Sequence, residues 1–272
     1  MKRRLGANST ACSEHTANHS ASQLHQTVLT VLACWAKLDF LFVRVLIISD
    51  LHGNLEAVEA LPKDFDLLWV LGDLVNYGPN PAEVIQFVRK NAAMVVRGNH
   101  DHSLGFGEDP RCSIRFRAMA EETGRFTRSA LSAEDILYLG NLPLKASICV
   151  DNSRFLLCHA TPSDTLYEYR REDSTSWLSD EVSSAINVVL VGHTHLPFNR
   201  PVKGHAVVNP GSVGQPKHGR PEACYATWED GKITLGSAIY EFERTVQKLG
   251  RIGLSARVYE DLAFVLRTGK PP

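Results

Sequence analysis

The feature that most constrains this chain is a set of five short apolar runs, each followed at once by side chains that can bind a metal ion. The runs and the residues that end them read IISDLH at 47–52, VLGD at 70–73, VRGNHD at 96–101, LLCH at 156–159 and LVGHTH at 190–195. Runs of this length are typical of buried strands. Because the carboxyl ends of strands in an open α/β sheet border one crevice, we expect these side chains to converge in space.

From Val43 onward, apolar runs alternate with amphipathic stretches, which indicates α and β elements in one α/β domain. Asp230 and Gly231 predict a tight hairpin, since both residues tolerate positive φ. The predicted strands are 44–49, 67–71, 94–97, 145–150, 154–158, 187–191, 198–202, 205–209, 223–228 and 232–239. The predicted helices are 55–61, 81–90, 113–123, 133–139, 174–185, 241–249 and 257–266.

Residues 1–42 differ from the rest of the chain, and we place the domain at 43–272. The first 26 residues are polar and aperiodic, which favours disorder. The apolar stretch that follows is interrupted by Lys37 and Asp39 and is too short for a membrane span. It also lacks a clear signal-peptide cleavage site. Residues 1–42 are therefore either a disordered extension or a non-native one, with natural translation beginning near Val43.

The net charge and the cysteine content indicate which binding partners and which cellular compartment to expect. A formal net charge of -1 favours neither a nucleic-acid partner nor a membrane surface. The six cysteines lack CxxC pairing and are too sparse for a disulfide-stapled fold, so we expect reduced thiols and a cytoplasmic protein. We interpret Cys158, next to His159, as a small buried hydrophobe rather than a nucleophile or a ligand.

The residue types at the strand ends agree with one another chemically. Asp, Asn and His supply oxygen and nitrogen ligands suited to Mn, Fe or Zn, and no thiolate set indicates a structural zinc site. Asp50 and His52, like His193 and His195, are two residues apart, a step that on an extended backbone returns side chains to one face. Any one of these residues alone is more often a helix cap or a core histidine. Five such endings in order favour a metal site.

These motifs resemble the calcineurin-like metallophosphoesterases, whose successive blocks are D-x-H, G-D, G-N-H-D/E, a single His and G-H-x-H. All five blocks occur here in order, between Asp50 and His195. The segments 49–54, 72–79 and 209–213 are similar to the compact bacterial and archaeal phosphodiesterase-like branch. The resemblance does not cover the first forty or so residues.

The resemblance implies a layered β-sandwich flanked by helices, in a single domain, with two divalent metal ions and a phosphoester substrate. It also implies that a hydroxide bridging the ions attacks phosphorus, and that His100 protonates the leaving oxygen or stabilises its charge. The implied ligands of one ion are Asp50, His52 and His195, those of the other are Asn99, His159 and His193, and Asp73 bridges the two.

Several interpretations stay open at this point. The enzyme can act on a phosphomonoester or a phosphodiester, and the alternative is a non-catalytic scaffold or binding protein on the same fold. Asp101 either orients His100 or caps the following helix. Arg97 either contacts phosphate or forms an ion pair. The segment 209–214 is either an anion cradle or a ligand-free turn, and the arginines of 111–128 form either a basic lid or a solvated helix face. His218 is a minor candidate for substrate contact.

Overall fold

Two five-stranded sheets pack face to face, and helices cover the outside. The computed structural model describes residues 43–272. The strands are β1 (Val45–Ile48), β2 (Leu67–Val70), β3 (Met94–Val95), β4 (Lys145–Val150), β5 (Ser153–Cys158), β6 (Val188–Leu190), β7 (Phe198–Val202), β8 (His205–Asn209), β9 (Glu222–Glu229) and β10 (Lys232–Ile239). The helices are α1 (Leu55–Glu59), α2 (Pro81–Asn91), α3 (Asn99–Phe106), α4 (Ile114–Ala130), α5 (Ala133–Asn141), α6 (Phe242–Leu249) and α7 (Ala256–Thr268).

The order of the strands brings the carboxyl ends of the predicted strands to one edge of the sandwich. The first sheet runs β10-β9-β1-β2-β3, with β1, β2 and β3 parallel. The second runs β4-β5-β6-β8-β7, with β5, β6 and β8 parallel. Antiparallel strands complete both sheets.

Aromatic rings fill the space between the sheets. Trp69 of β2 packs edge-on against Phe155 of β5, with ring centroids 5.0 Å apart, and Phe155 packs against Trp228 of β9 at 4.9 Å. All three side chains are buried. Edge-to-face packing of buried rings stabilises the contact between sheets beyond the area that it removes from water. The expected fold class, a layered α/β sandwich flanked by helices in a single domain, is confirmed.

The predicted hairpin joins β9 to β10. Asp230 and Gly231 have φ values of 49° and 74°, and Glu229 pairs with Lys232 across the turn. Two consecutive left-handed residues give a tight turn whose twist matches that of the strands. This is why Asp230 and Gly231 predict a hairpin.

Two helix predictions were wrong. The helix predicted at 174–185 is a single 3-10 turn over Thr175–Leu178. Its serines bond the backbone in competition with helix formation, since Ser174 Oγ accepts from the N–H of Ser176 and Ser179 Oγ donates to the carbonyl of Ser176. Conversely, α3 was not predicted, because its residues have no amphipathic period and its start is set by the chemistry of the preceding loop.

Helix α6 is tied to α1 by a buried polar network. Glu56 is buried, and its Oε1 lies 2.5 Å from Lys248 Nζ while Thr245 Oγ1 donates to Oε2 over 3.0 Å. Burial opposes the charge of Glu56, but the hydrogen bonds and the ammonium group outweigh it and lower the pKa of Glu56 below 4.5. The network therefore stabilises the fold above this pH and weakens as the pH falls through the folded-state pKa.

We expect Lys248→Met to lower the free energy of unfolding by about 1–3 kcal/mol at pH 7, because it removes the cation from a buried carboxylate. Urea unfolding at pH 7 measures this loss, and Lys90→Met, on the exposed end of α2, is the matched control. The difference between Lys248→Met and wild type should shrink on acidification below pH 4.5. Equal unfolding free energies for the two variants at pH 7 would contradict the assignment.

The interpretation of residues 1–42 as a disordered or non-native extension lies outside the described residues. Within residues 43–272, none of the helices combines the length and the apolar character needed to cross a bilayer.

Candidate metal centre

The eight residues singled out in the sequence come together at one edge of the sandwich. Asp50 and His52 follow β1, Asp73 follows β2, and Asn99 and His100 open α3 just after β3. His159 directly follows β5 of the second sheet, and His193 and His195 follow β6. Seven of the eight side chains are buried, and His193 is half-buried. Both sheets thus contribute to one cluster.

The first group of candidate ligands is Asp50, His52 and His195, whose ligand atoms lie within 4.8 Å of one another. The Nδ1–H groups of His52 and His195 donate to the carbonyls of Val75 and Gln215, over 3.0 and 2.6 Å. Each neutral ring therefore turns an unprotonated Nε2 inward, and the two Nε2 atoms face each other at 3.2 Å. Two lone pairs at this distance repel each other unless a cation lies between them.

The charge states of this group also fit a cation. Burial lowers the pKa of His52 to about 3 and that of His195 well below its ordinary value, so both rings are neutral. Burial raises the pKa of Asp50 to about 7, and Asp50 Oδ1 has no hydrogen-bond donor among the described residues. An orphaned carboxylate oxygen beside two proton-free imidazole nitrogens is the donor set that a divalent ion uses.

The second group is Asp73, His159 and His193, again with ligand atoms within 4.8 Å of one another. His159 Nδ1–H donates to the carbonyl of Leu71 over 2.7 Å, which directs Nε2 into the cluster. That Nε2 lies 3.1 Å from Asn99 Oδ1 and 3.2 Å from Asp73 Oδ2. The amide oxygen of Asn99 thus joins this group.

Asp73 lies between the two groups. Its Oδ2, 3.2 Å from His159 Nε2, is also 3.8 Å from His52 Nε2. Burial disfavours the charge on Asp73, but His159 and His100 outweigh it and hold the pKa of this carboxyl well below its usual range. A carboxylate in this position can contact an ion in either group.

His100 borders the cluster. Its backbone N–H donates to Asp73 Oδ1 over 2.9 Å, which fixes the start of α3 against the cluster. Nδ1 of the ring lies 2.8 Å from the side-chain amide of Asn76, and Nε2 lies 3.4 Å from Cys112 Sγ. With the amide N–H of Asn76 donating to Nδ1, the ring carries its transferable proton on Nε2, which faces Cys112 Sγ.

The backbone around the cluster is strained, and here the expectation of an extended backbone was wrong. The left-handed region is occupied by Asp50, His52, Asp73, His193 and His195, with φ values of 54°, 44°, 54°, 64° and 60°. The side chains meet because the chain turns sharply after each strand rather than continuing along it. Backbone hydrogen bonds hold the turns, such as Asp50 N–H to the Gly72 carbonyl at 3.0 Å and His52 N–H to the Asp73 carbonyl at 2.9 Å. Strain of this kind concentrates at functional sites.

Glycine in the motifs permits close approach between these turns. A Cβ at Gly98 would lie 2.1 Å from Asp73 Oδ1, and one at Gly192 would lie 2.0 Å from Ser49 Oγ. Any side chain at either position would therefore displace a turn that carries candidate ligands.

Residues 43–231 match the calcineurin-like phosphoesterase superfamily domain, more than half of the chain. The chain belongs to this superfamily. The resemblance seen in the sequence is thus confirmed, and with it the enzyme class, a metal-dependent phosphoesterase.

Relatives of this superfamily member are bacterial and archaeal. An uncharacterised protein of Methanocaldococcus jannaschii is 28% identical over 228 residues, which cover 75% of this chain and 91% of the relative. A metallophosphoesterase structure from Sphaerobacter thermophilus is 30% identical with a TM-score of 0.68, covering 82% of this chain and 99% of that one. A symmetrical bis(5'-nucleosyl)-tetraphosphatase of Vibrio cholerae is 30% identical over 122 residues, only 42% of this chain and 43% of the relative.

In this phosphoesterase, Asp101 clamps two of the turns together and does not contact the His100 ring. Its Oδ2 accepts from the N–H groups of Asp73 and Gly98, over 2.8 and 3.0 Å, and its Oδ1 accepts from the N–H of Leu74 over 2.8 Å. Of the two open interpretations, the helix cap is the correct one. The cap also ties α3 to the turn that carries Asp73.

We expect Asp101→Asn to lower the free energy of unfolding by about 2–4 kcal/mol, because an amide nitrogen would face a buried N–H donor. Mn²⁺ affinity should fall by about 10- to 100-fold as the Asp73 turn loses its anchor. Chemical unfolding and calorimetric Mn²⁺ titration measure the two effects. Asp109→Asn, an exposed residue whose carboxylate accepts from the N–H of Arg111, is the control. Wild-type stability in Asp101→Asn would contradict the clamp.

The segment 209–214 is hydrogen-bonded to the turn that carries Asp50. The N–H groups of Val213 and Gly214 donate to the carbonyls of Ser49 and Asp50, over 3.0 and 2.9 Å. Ser212 Oγ also donates to the carbonyl of Asp50. These donors support the turn that carries Asp50, which favours a structural turn over an anion cradle.

Arg97, His218 and Cys158 were also considered in the sequence, and each contacts other protein groups or is buried in the core. The guanidinium of Arg97 donates to the carbonyl of Gly140 and lies over the Phe106 ring, with no carboxylate within 4.0 Å among the described residues. His218 lies 3.6 Å from Cys224 Sγ. Cys158 is buried, and burial raises the pKa of its thiol to about 12, as expected of a small hydrophobe.

A cavity of about 430 Å³ lies beside His100. Asn76 and Cys112, which both contact the His100 ring, form part of its wall. Its charged lining residues are Glu108, Asp109, Arg117, Glu121, Arg125 and Arg128. The arginines of α4 thus form one wall of a cavity of mixed charge, which is neither a purely basic lid nor a simple solvated face.

Lys217 is a charged residue near the cluster that the sequence analysis missed. It is half-buried in the loop between β8 and β9, and its Nζ lies 4.3 Å from the centroid of the Phe116 ring. Burial lowers the pKa of Lys217 to about 8, while Asp50, Cys112 and Asp73 oppose that shift. Nothing in the local sequence marked this lysine, since it belongs to none of the five motifs.

Proposed function

We propose that this phosphoesterase is a dinuclear enzyme that holds two divalent ions and hydrolyses a phosphate ester by in-line attack of water. The observation that carries the proposal is the pair of inward-facing donor groups with Asp73 between them. Asp50, His52 and His195 would hold one ion, and Asn99, His159 and His193 the other. Two ions so placed would lower the pKa of bound water and neutralise phosphoryl charge.

The protein groups around this centre have separate tasks. The carbonyls of Val75, Leu71 and Gln215 keep three histidine rings in the tautomer that exposes Nε2. Asp73 stays ionised between the groups. His100 would give the Nε2 proton to the leaving oxygen, since Asn76 occupies its other nitrogen.

The cavity beside His100 favours a substrate with a bulky leaving group. A group that receives the Nε2 proton would lie near Cys112, which lines the cavity together with Asn76. Its mixed charge suits the sugar and phosphate of a nucleotide better than a purely apolar group. We therefore favour a phosphodiester or a phosphoanhydride over a small monoester. The bis(5'-nucleosyl)-tetraphosphatase relative supports a nucleotide leaving group.

A panel of substrates and metals tests the proposal. Purified protein loaded with Mn²⁺, Fe²⁺, Zn²⁺ or Mg²⁺ is assayed with p-nitrophenyl phosphate, bis(p-nitrophenyl) phosphate, diadenosine tetraphosphate and a phosphopeptide. We expect about two ions per chain by mass spectrometry of the metals, with Mn²⁺ supporting turnover and the diesters or anhydrides preferred. Binding of a single ion would reject the dinuclear proposal, and no turnover with any metal would favour the scaffold alternative.

The cytoplasmic location remains a proposal. It rests on cysteine chemistry, since the four cysteines that the structure describes, Cys112, Cys149, Cys158 and Cys224, are free thiols.

A further inference from the structure

We propose that Lys217 forms an anion subsite at the metal centre, where its ammonium group binds a non-bridging oxygen of the substrate phosphoryl group. The proposal rests on the phosphoesterase function above and adds a substrate-binding residue outside the five motifs. It predicts that phosphate affinity, and not metal affinity, depends on this lysine.

The first observation is that Lys217 lacks a protein partner for its charge. Among residues 43–272, no carboxylate lies within 4.0 Å of its Nζ, and the ammonium group makes no hydrogen bond. Its neighbour is the face of the Phe116 ring, which attracts a cation without neutralising it. Removing an ammonium from water is costly, and an anionic partner would offset that cost.

The second observation is that the charge of Lys217 interacts with charged groups of the candidate metal centre. Lys217 interacts electrostatically with Asp50 of the first donor group and Asp73 between the groups, and also with His193 of the second. Phe116 in turn packs toward Tyr77, with ring centroids 6.4 Å apart, and the Tyr77 ring lies 4.8 Å from those of His52 and His100. A chain of ring contacts thus connects the ammonium group, through Phe116 and Tyr77, to His52 and His100.

Charge balance indicates what Lys217 binds. Two divalent ions would bring four positive charges against the two negative charges of Asp50 and Asp73, so the loaded centre is already positive. A third cation beside it is unfavourable unless an anion binds as well. A phosphate ester is such an anion, and a charge-assisted hydrogen bond from an ammonium to a phosphoryl oxygen is strong and short.

The loop holds Lys217 in place without using the lysine itself. Two positions earlier, the carbonyl of Gln215 accepts from His195 Nδ1–H, and Gln215 N–H donates to Ser212 Oγ over 2.8 Å. The segment that orients a candidate metal ligand thus also fixes the backbone close to Lys217, and the Phe116 ring is the contact of its ammonium group.

The test compares Lys217→Met and Lys217→Arg with wild type, all loaded with Mn²⁺. Calorimetric titration with inorganic phosphate should give a dissociation constant about 10- to 100-fold higher for Lys217→Met, with partial recovery in Lys217→Arg. KM for bis(p-nitrophenyl) phosphate should rise in parallel, while the Mn²⁺ content stays at the wild-type level. Arg220→Met, an exposed charge in the same loop, is the matched control and should bind phosphate as wild type does.

A measurement on the wild-type protein covers the case in which Lys217→Met does not fold. Acetylation by a water-soluble active ester, followed by peptide mass spectrometry, should modify Lys217, and saturating phosphate with Mn²⁺ should protect it while exposed Lys203 stays reactive. Equal modification of Lys217 with and without phosphate overturns the proposal, as does phosphate affinity within twofold of wild type in Lys217→Met. If the wild-type protein still hydrolyses the diester, either of these two results overturns only the role of Lys217 and leaves the proposed function intact. Failure of wild type to hydrolyse any ester rejects that function separately.

Discussion

Asp73→Asn is expected to reduce kcat/KM for bis(p-nitrophenyl) phosphate by on the order of 1,000-fold or more. Both carboxylate oxygens of Asp73 are in use: Oδ1 accepts from the backbone N–H of His100, and Oδ2 faces His159 Nε2 at 3.2 Å. Asparagine must put an amide nitrogen at one of these positions and also removes the negative charge between the donor groups. Mn²⁺ binding should weaken together with turnover.

The control for Asp73→Asn is Asp151→Asn. Asp151 is exposed in the turn between β4 and β5 and has a φ of 47°, a conformation that asparagine also tolerates. Both variants are assayed for turnover and Mn²⁺ content, and circular dichroism checks that each is folded. Full activity and full metal content in folded Asp73→Asn would rule out a ligand role for this carboxylate.

His100→Ala is expected to lower kcat by about 100- to 10,000-fold for an ester with an alkyl leaving group, because the leaving alkoxide must be protonated as it departs. With a p-nitrophenyl leaving group the loss should be at most about 10-fold, since p-nitrophenolate needs little help from an acid. The Mn²⁺ content should not change, because His100 lies beside the donor groups and its imidazole belongs to neither.

Steady-state kinetics with the two leaving groups separate an acid from a structural role. His102→Ala, on the same helix, is the matched control, since its ring lies 3.3 Å from Glu108 and away from Asp73. Equal losses for both leaving groups, accompanied by loss of metal, would show that His100 supports the centre rather than protonating the product.

These two variants also distinguish an enzyme from a scaffold on the same fold. If the protein were a scaffold, the wild type would show no turnover. Replacing Asp73 or His100 would then leave its partner-binding surface unchanged. All eight candidate residues lie in one cluster, and no described residue of the set is displaced from it. The geometry therefore favours catalysis.

Much of the fold could be predicted from local patterns. The runs that became β1, β2 and β6 are short and fully apolar, and β5 is apolar from Phe155 onward, because these residues lie in sheets that are covered on both sides. Helices α2 and α4 were predicted because one face of each is apolar and packs on the protein. Helix α3 and the stretch at 174–185 were not, since there the backbone follows side-chain hydrogen bonds rather than hydrophobic periodicity.

The sequence by itself determined the fold class and the chemical types of the candidate donors, because each motif is a short segment whose residues follow one strand. Only the tertiary structure decided which oxygen of Asp101 holds which turn, that the N–H groups of Val213 and Gly214 are already used, and that Lys217 packs on the Phe116 ring. The physical reason is that these properties depend on contacts between segments far apart in the chain. Such contacts are set by the packing of the two sheets, and they leave no periodicity or spacing in the sequence to read.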